Sequence, residues 1–447
     1  MSLIPNTSRF SNENWSRQDL IIVVFIYLSV FINSFVFFKQ PFEFYFGYLI
    51  YIVLLPVFLK RYGINRQLLY IFFVLLLTGI FNILVGNDTG ALFFKVFLGL
   101  VLSYLFYDAV VRQFDFDIEL IFQWYLRGAF VVCLIGVFQF ISFQIGFVPG
   151  YKLNWILNKW SLAPGGIFGL RINSILAEPT HLAGVLSPAF FVAIYNLTRK
   201  EPYLMTKFRG GVIIAIFILS FSALGQMGIF LTATLLLINF GLIRYFFVLA
   251  VVGFILFNVF YENVADFRER YDSLITLFTE GPNAFKLGKT HGSSFILYNN
   301  FIVTVENFKT NFMFGSGIGS HPVAFEKFNI AKGIQTAGFN NNSADANSML
   351  LRLVSETGLF GTILFLYIVF KCYVSRNAEN ETHHWLISNA ILVMILLNLF
   401  RQGHYFLNGF PFFVLMYYYN YLDYNRYLES NETVADPEMT PEQHAAS

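Results

Sequence analysis

The chain has 447 residues, of which 56% are hydrophobic and 13% are charged, and its formal net charge is +2. A soluble domain carries charge on roughly a quarter of its residues, so this composition indicates a membrane protein with several spans. The small net charge and the lack of a basic run exclude nucleic acid as an expected partner.

Apolar runs long enough to cross a bilayer recur from residue 20 to residue 422. A spanning helix needs about 20 apolar residues, and twelve such runs predict an all-α, polytopic membrane domain. The predicted spans are 20–38, 42–59, 68–85, 91–107, 126–147, 174–197, 211–224, 227–242, 244–261, 348–373, 385–400 and 404–422, with the seventh and eighth joined by a tight turn at Gly225–Gly228. Residues 1–19 form a polar N-terminal segment, and the acidic residues 423–447 are expected to be a disordered tail.

Lysine and arginine in the short loops predict the orientation of these spans. They concentrate in the loops that are cytoplasmic if the N-terminus is cytoplasmic, so we expect both termini on that side. The two long loops, 148–173 and 262–347, are then extracytoplasmic. In the larger loop, residues 263–278 predict an amphipathic helix and residues 295–312 a second helix. A long loop with its own helices is expected to cap a cavity.

The stretch RINSILAEPTHLAG opens the sixth predicted span and contains Arg171, Ser174, Glu178 and His181. On a continuous helix these side chains share one face, but Pro179 disfavours helical geometry at Glu178 and predicts a break there. In one interpretation Arg171 reaches lipid headgroups, while Glu178 pairs with it and caps the following helix. In the other, Arg171 binds phosphate oxygens, and Glu178 or His181 transfers a proton. Ionisable groups inside a membrane favour the second.

Two further polar groups lie on the same predicted side. The stretch FRQGHYFLNGF places Arg401, His404, Tyr405 and Asn408 on one helical face if it is helical. Taken alone, this pattern is typical of a membrane-interface anchor. Together with the first group, it predicts a shared polar cavity.

The tenth predicted span begins with DANSMLLRLVSETGLFG. Asp345 and Asn347 are residue types that often cap a helix N-terminus. Arg352 and Glu356 are four residues apart and are expected to form a structural ion pair. The alternative is that Arg352 binds substrate.

The chain has no nucleotide-binding, hydrolase or zinc-protease motif. His291 and His321 lie among glycine and serine in the large loop, lack metal-ligand spacing, and are expected to be solvated. Cys133 and Cys372 lie in apolar stretches and predict no disulfide. We therefore expect no metal and no cofactor.

The chain resembles the O-antigen polymerase (Wzy-type) and O-antigen ligase superfamily of bacterial membrane glycosyltransferases. The resemblance rests on the layout of residues 20–422 and on four short stretches: RINSILAEPTHLAG, LSFSALGQMG, NFMFGSGIGS and NSMLLRLVSETGLFG. It implies metal-independent, inverting glycosyl transfer at the outer face of the bacterial cytoplasmic membrane. Ligases of this superfamily commonly have a His-Asn pair where this chain has Ala346-Asn347, which favours a polysaccharide polymerase.

The resemblance implies a donor glycan on undecaprenyl pyrophosphate and an acceptor glycan, with membrane lipids, a chain-length regulator and a flippase as further partners. A ligase is the alternative, and a flippase or transporter of lipid-linked oligosaccharide is a third. Glu178 is the leading candidate for the catalytic base, with His181 or His404 as substitutes. The candidate pyrophosphate- and sugar-binding residues are Arg171, Ser174, Arg401, Tyr405, Arg352 and Asn347.

Overall fold

The computed structural model describes residues 17–39, 42–281, 290–330, 342–377 and 383–435. Within these ranges the chain is helical, and two isolated bridges, Val36–Tyr45 and Pro164–Leu170, are its only β-type pairings. The α-helices are α1 (Arg17–Phe31), α2 (Phe46–Tyr62), α3 (Arg66–Val85), α4 (Gly90–Gln113), α5 (Ile118–Gln144), α6 (Val148–Tyr151), α7 (Pro179–Leu197), α8 (Lys207–Leu219), α9 (Ala223–Asn239), α10 (Phe246–Asn263), α11 (Ala265–Glu280), α12 (Gly292–Thr310), α13 (His321–Phe328), α14 (Met349–Lys371), α15 (His383–Arg401) and α16 (Phe410–Ala435).

Seven helical stretches of the described chain are long and apolar enough to cross a membrane. They are α3, α4, α5, α7, α10 with the turn before it, α14 and α15. Each of the twelve predicted spans overlaps an α-helix, and the seventh reaches from α8 into α9, but α1, α2, α8 and α9 have only 13 to 17 residues. The helix of the twelfth predicted span, α16, is long but rich in tyrosine and asparagine. The fold is thus all-α with several apolar helices, which is consistent with a polytopic membrane protein.

Helices α7 and α15 lie at the centre of the bundle. In each, 78% of the most apolar stretch is buried inside the protein, whereas in α10 that share is 0%. Phe190 of α7 stacks on Phe217 of α8 with ring centroids 4.1 Å apart, and Tyr195 meets Trp385 of α15 at 5.2 Å. Aromatic pairs at such distances stabilise beyond their buried area. This packing holds the start of α7 close to the end of α15.

The start of α7 has the break that its proline predicts. Pro179 is the first helical residue, and Glu178 before it is extended, with φ −144° and ψ 155°. The helix therefore begins at Pro179 and not at residue 174, where the predicted span starts, because residues 171–178 are not helical and Ser174 has φ 50°. The cap by Glu178, which belonged to the first, less favoured interpretation of this stretch, is absent from the described structure, since its side chain makes no capping hydrogen bond. The carboxylate is instead exposed.

A second break in the fold lies inside α14, at Gly358, where φ is 62° and ψ is −160°. The chain before α13 runs alongside this break: Leu359 N–H donates to the Phe312 carbonyl oxygen at 2.9 Å, and Gly317 N–H donates to that of Glu356 at 2.9 Å. A Cβ atom on Gly358 would lie 2.5 Å from the Gly315 nitrogen. The glycine is thus required both by its left-handed backbone and by this close approach.

The predicted end of the first span and the predicted turn between the seventh and eighth spans need correction. Helix α1 ends at Phe31, because the chain beyond it turns to form the bridge between Val36 and Tyr45. Gly225 and Gly228 lie inside α9, since the Ser222 hydroxyl accepts the Gly225 N–H at 2.9 Å and starts that helix. The turn between α8 and α9 is therefore at residues 220–222.

The C-terminal boundaries also differ from the prediction. Residues 402–409 are not helical, and Asn408 and Gly409 have φ of 54° and 68°. The single helical face expected for Arg401, His404, Tyr405 and Asn408 is therefore absent from the described structure. Helix α16 continues to Ala435, so residues 423–435 of the expected disordered tail are helical. The rest of that tail, and residues 1–16 of the N-terminal segment, lie outside the described residues.

The large loop contains both predicted helices, as α11 and α12, and one helix that was not predicted, α13. Its His321 is fully buried, so the expectation that it is solvated is wrong. The ring lies between Ser355 Oγ (3.1 Å from Nδ1) and Asn300 Oδ1 (3.0 Å from Nε2). Burial, followed by the charge of Arg352, lowers the pKa of His321 to about 3. A neutral His321 thus joins α12, α13 and α14.

Candidate functional site

A cavity of about 920 Å³ lies at one end of the bundle. The first turns of α4, α7, α9, α12 and α13 contribute to its wall, together with the segments that precede α2 and α14 and the segment that follows α15. The N-terminus of a helix carries a partial positive charge and unpaired N–H groups. The convergence of several N-terminal turns therefore favours a negatively charged ligand.

Basic side chains outnumber acidic ones in the cavity wall by six to three. The basic residues are Lys95, Lys159, Arg171, Arg270, Arg352 and Arg401, and the acidic residues are Glu43, Glu178 and Asp345. His181 and His404 also line the cavity. Charges at a partly enclosed site interact more strongly than in bulk water. The wall thus has the charge expected of a site for a polyanion such as a diphosphate.

The segment before α7 is held from behind by buried polar contacts. Ser174 is fully buried, its hydroxyl donates to the Val132 carbonyl oxygen at 2.7 Å, and its N–H donates to Gln139 Oε1 at 2.8 Å. The indole N–H of Trp160 donates to the Ser174 carbonyl oxygen at 2.8 Å. Ser174 is not among the cavity-lining residues of the described structure. Its contacts position the segment that carries Arg171 and Glu178 into the cavity wall.

His181 lies one turn into α7 and is oriented by Asn33. The Asn33 side-chain oxygen accepts the Ala177 N–H at 3.1 Å, which fixes the direction of the amide. Its nitrogen then lies 3.0 Å from His181 Nδ1 and also donates to Asn408 Oδ1. Because an amide nitrogen can only donate, Nδ1 is the acceptor and the ring proton is on Nε2. His181 thus lines the cavity with one nitrogen already engaged.

His404 forms a pair with Asp345, which the sequence analysis treated only as a helix cap. His404 Nε2 lies 2.9 Å from Asp345 Oδ2, and Asp345 Oδ1 accepts the Asn347 N–H at 3.0 Å. Burial raises the pKa of Asp345, but His404, the Asn347 N–H and Arg352 outweigh it and lower the pKa to about 2. The carboxylate is therefore charged at neutral pH and orients the imidazole. Histidine held by aspartate is an established arrangement for a general base.

Helix α14 is capped by Ser348, not by Asp345 or Asn347. The Ser348 hydroxyl accepts the Leu351 N–H at 3.4 Å. Asn347 lines the cavity, and its side-chain oxygen accepts from the Asn342 amide at 3.2 Å. Asp345 and Asn347 thus do not cap α14, and both line the cavity instead.

Arg352 and Glu356 form the predicted ion pair, with Nε and Oε1 2.9 Å apart and both side chains at most 3% exposed. Tyr405 donates its hydroxyl proton to the other carboxylate oxygen at 2.9 Å, and its ring lies 4.2 Å from the guanidinium carbon. Arg352 also donates to the Gly403 carbonyl oxygen at 2.9 Å. Tyr405 is therefore packed behind the cavity wall, whereas one side of Arg352 reaches the cavity. This network fixes the segment that carries His404.

Arg401 lies in the cavity wall at the end of α15 and is half-buried, like Arg171. The cavity therefore brings together seven of the nine predicted site residues: Glu178, His181, His404, Arg171, Arg401, Arg352 and Asn347. The other two, Ser174 and Tyr405, support the wall from behind.

Three basic residues of the wall were missed by the sequence analysis. Lys95 is the one charged residue in the predicted fourth span. A charged residue inside a predicted span is by itself a reason to expect a functional role, so the sequence contained the signal for Lys95. Arg270 lies on α11 and is half-buried. Lys159 forms an ion pair with Glu43, and its ammonium lies 4.7 Å from the Tyr45 ring centroid. No local pattern marks the last two, because they reach the cavity through tertiary contacts.

No family model matches this chain, and no curated protein matches it either.

Proposed function

We propose that this chain is a polysaccharide polymerase that joins oligosaccharide repeat units carried on undecaprenyl pyrophosphate, as in the synthesis of O-antigen, capsule or exopolysaccharide. The observation that carries the proposal is the cavity with six basic residues, an exposed glutamate and an Asp–His pair at one end of an apolar helical bundle. A diphosphate requires such cations, and a sugar hydroxyl requires a base.

The proposed topology has twelve spans, with both termini cytoplasmic and the cavity on the outer side of the bacterial cytoplasmic membrane. In its support, each predicted span overlaps an α-helix. In addition, the cavity-lining segments all belong to the side that the loop charges predict to be extracytoplasmic. A lipid-linked glycan that has crossed the membrane would meet the cavity there.

The apolar part of the wall supports a lipid-linked substrate. Tyr48 and Ile52 of α2 and Leu98 and Leu102 of α4 line the cavity. Ile52 and Leu98 are 46% and 54% exposed, and both lie on helices that span the membrane in the proposed topology, so an opening of the cavity towards lipid beside them is part of the proposal. A polyprenyl chain can thus remain in the bilayer while its diphosphate lies among the cations.

In the proposed reaction, a base removes the proton from the acceptor hydroxyl, whose oxygen attacks the anomeric carbon. The bond from that carbon to the diphosphate oxygen breaks, and the configuration inverts. Arg171 and Arg401, with Lys95 and Arg270, stabilise the charge of the departing diphosphate. Glu178 is the proposed base, because its carboxylate is exposed in the wall. His404, held by Asp345, has the geometry of a second proton carrier.

The decisive experiment is an assay with purified protein and lipid-linked oligosaccharide from cells that lack the gene, in which the unpolymerised unit accumulates. Wild-type protein should produce a ladder of chain lengths with no other acceptor present. A product formed only when a different acceptor is added would indicate a ligase instead, and lipid-linked units that cross vesicles unjoined would indicate a flippase.

Two variants test the assignment of the site. Arg171→Ala and Glu178→Gln should each reduce ladder formation by about 100-fold or more, the range expected for loss of a charge-stabilising group or a general base. The matched controls are Arg66→Ala and Glu201→Gln, which change exposed residues remote from the cavity wall. Wild-type chain lengths from either site variant would exclude its proposed role.

A further inference from the structure

A second group of ionisable side chains lies at the end of the bundle opposite the cavity. His383 and His384 are the first residues of α15, Glu119 lies in the first turn of α5, and Asp423 is on α16. Helix α15 has 19 residues and ends at Arg401 in the cavity wall. At 1.5 Å per residue, the two ends are roughly 27 Å apart. This group therefore has no part in the proposed glycosyl transfer.

The ligand atoms of His383, His384 and Asp423 all lie within 4.8 Å of one another. His384 Nε2 is 3.0 Å from Asp423 Oδ2, and His383 Nδ1 is 3.3 Å from Glu119 Oε2. Two ligands bound to one zinc ion, each about 2.1 Å from it, lie roughly 3.0–3.4 Å apart. These two separations are therefore compatible with neighbouring ligands of one ion, and small side-chain movements would bring the remaining ligand atoms to it.

The donor types and their surroundings also fit a metal. Imidazole with carboxylate is a ligand set for Zn²⁺ and related transition metals. The His384 side chain is only 4% exposed, and its main-chain carbonyl oxygen accepts from the Asn420 amide at 2.8 Å. His384 is therefore held by α16 before any ion binds, and the site is open to solvent on the side of Asp423, whose side chain is 43% exposed.

We propose that His383, His384 and Asp423, with Glu119 as the fourth ligand or the partner of His383, form a binding site for a divalent transition metal such as Zn²⁺. The ion joins the first turns of α5 and α15 to α16. In the proposed topology this is the cytoplasmic end, so the site responds to metal in the cytoplasm. The metal site does not depend on the proposed function, since it uses none of the cavity residues.

The test uses the full chain, purified in detergent through an affinity tag without histidine and stripped with EDTA. After dialysis against about 10 µM Zn²⁺, wild-type protein should contain about one zinc ion per chain by mass spectrometry. His384→Gln and Asp423→Asn should bind at least ten-fold more weakly. His291→Asn is the matched control, because His291 is a histidine outside the group that caps α12, and it should bind like wild type.

Thermal unfolding provides a second measurement that depends on the wild-type protein alone. Zn²⁺ should raise its melting temperature by a few degrees, because a ligand that binds the folded state stabilises it. Co²⁺ in place of zinc should give a visible absorption band that Asp423→Asn lacks. Wild-type protein that retains no zinc after dialysis, or variants that retain as much as wild type, would overturn the proposal and leave two His–carboxylate contacts without a metal.

Discussion

Two groups of charged residues line the same end of the bundle and differ in how they are satisfied. Around Arg352, each charged group has protein partners. The guanidinium forms an ion pair with Glu356 and donates to the Gly403 carbonyl oxygen, and the Tyr405 hydroxyl donates to the second carboxylate oxygen of Glu356. Around Arg171, the neighbouring Glu178 is exposed to the cavity. A charge inside an apolar helix is therefore not by itself a sign of chemistry. The two glutamates differ in whether protein or the open cavity faces the carboxylate.

The comparison predicts opposite consequences for the two glutamates, and the largest effect on stability is expected at Glu356. Glu356→Ala leaves the buried charge of Arg352 without its partner, which costs about 3–5 kcal/mol. We expect a large loss of folded protein, measured by thermal unfolding in detergent. Glu178→Gln should leave the melting temperature unchanged while it reduces activity.

A double variant provides the control for Glu356. Arg352→Met combined with Glu356→Leu removes both charges and should recover much of the stability, because an apolar pair can replace a buried ion pair. If Glu356→Ala alone melts like wild type, the closed network around Arg352 does not contribute to the fold as described.

Gly403→Ala should have the next largest effect on stability, since its Cβ would lie 1.5 Å from the Asp345 carbonyl oxygen. Overpacking of this kind costs about 1–3 kcal/mol, and here the neighbour is backbone. The variant should also lose activity, because the shift separates His404 from Asp345. The matched control is Gly253→Ala in α10, where no described atom lies within 4 Å of the added Cβ. Unfolding curves and ladder assays of both variants measure the contrast.

Asp345→Asn tests the pair with His404 through pH. The folded pKa of Asp345, about 2, lies below the ordinary value of 3.8. Its stabilisation is therefore fully present above about pH 5 and is lost progressively as the pH falls through the folded pKa of about 2. This corresponds to about 2 kcal/mol. Wild-type protein should lose more stability than Asp345→Asn between pH 5 and pH 3, as measured by melting temperature. Parallel pH profiles would contradict the pair.

The smallest effect is expected for Ser174→Ala. The variant loses one buried hydrogen bond to the Val132 carbonyl oxygen, worth about 1 kcal/mol. Because Ser174 lies behind the wall, the KM for the lipid-linked substrate should stay within about two-fold of wild type. A large rise in KM with unchanged stability would instead indicate that Ser174 contacts substrate.

Local features of the sequence predicted the elements that depend on neighbouring residues. The apolar runs predicted helices, because a bilayer requires a continuous hydrophobic stretch. Pro179 predicted the break at Glu178, because its ring excludes helical geometry from the residue before it. The spacing of Arg352 and Glu356 predicted their ion pair, because residues four apart are neighbours on a helix.

Pairings between distant parts of the chain were decided by tertiary structure alone. Asp345 and His404 are separated by α14 and α15, and they meet only because those helices return the chain to the same end of the bundle. Ser174 and Tyr405 are residue types that are common in binding sites, but both are buried and neither is among the cavity-lining residues of the described chain. Sequence alone thus determined an all-helical fold with several apolar helices. Only packing decided which charges face the cavity, because burial depends on neighbours that no local pattern specifies.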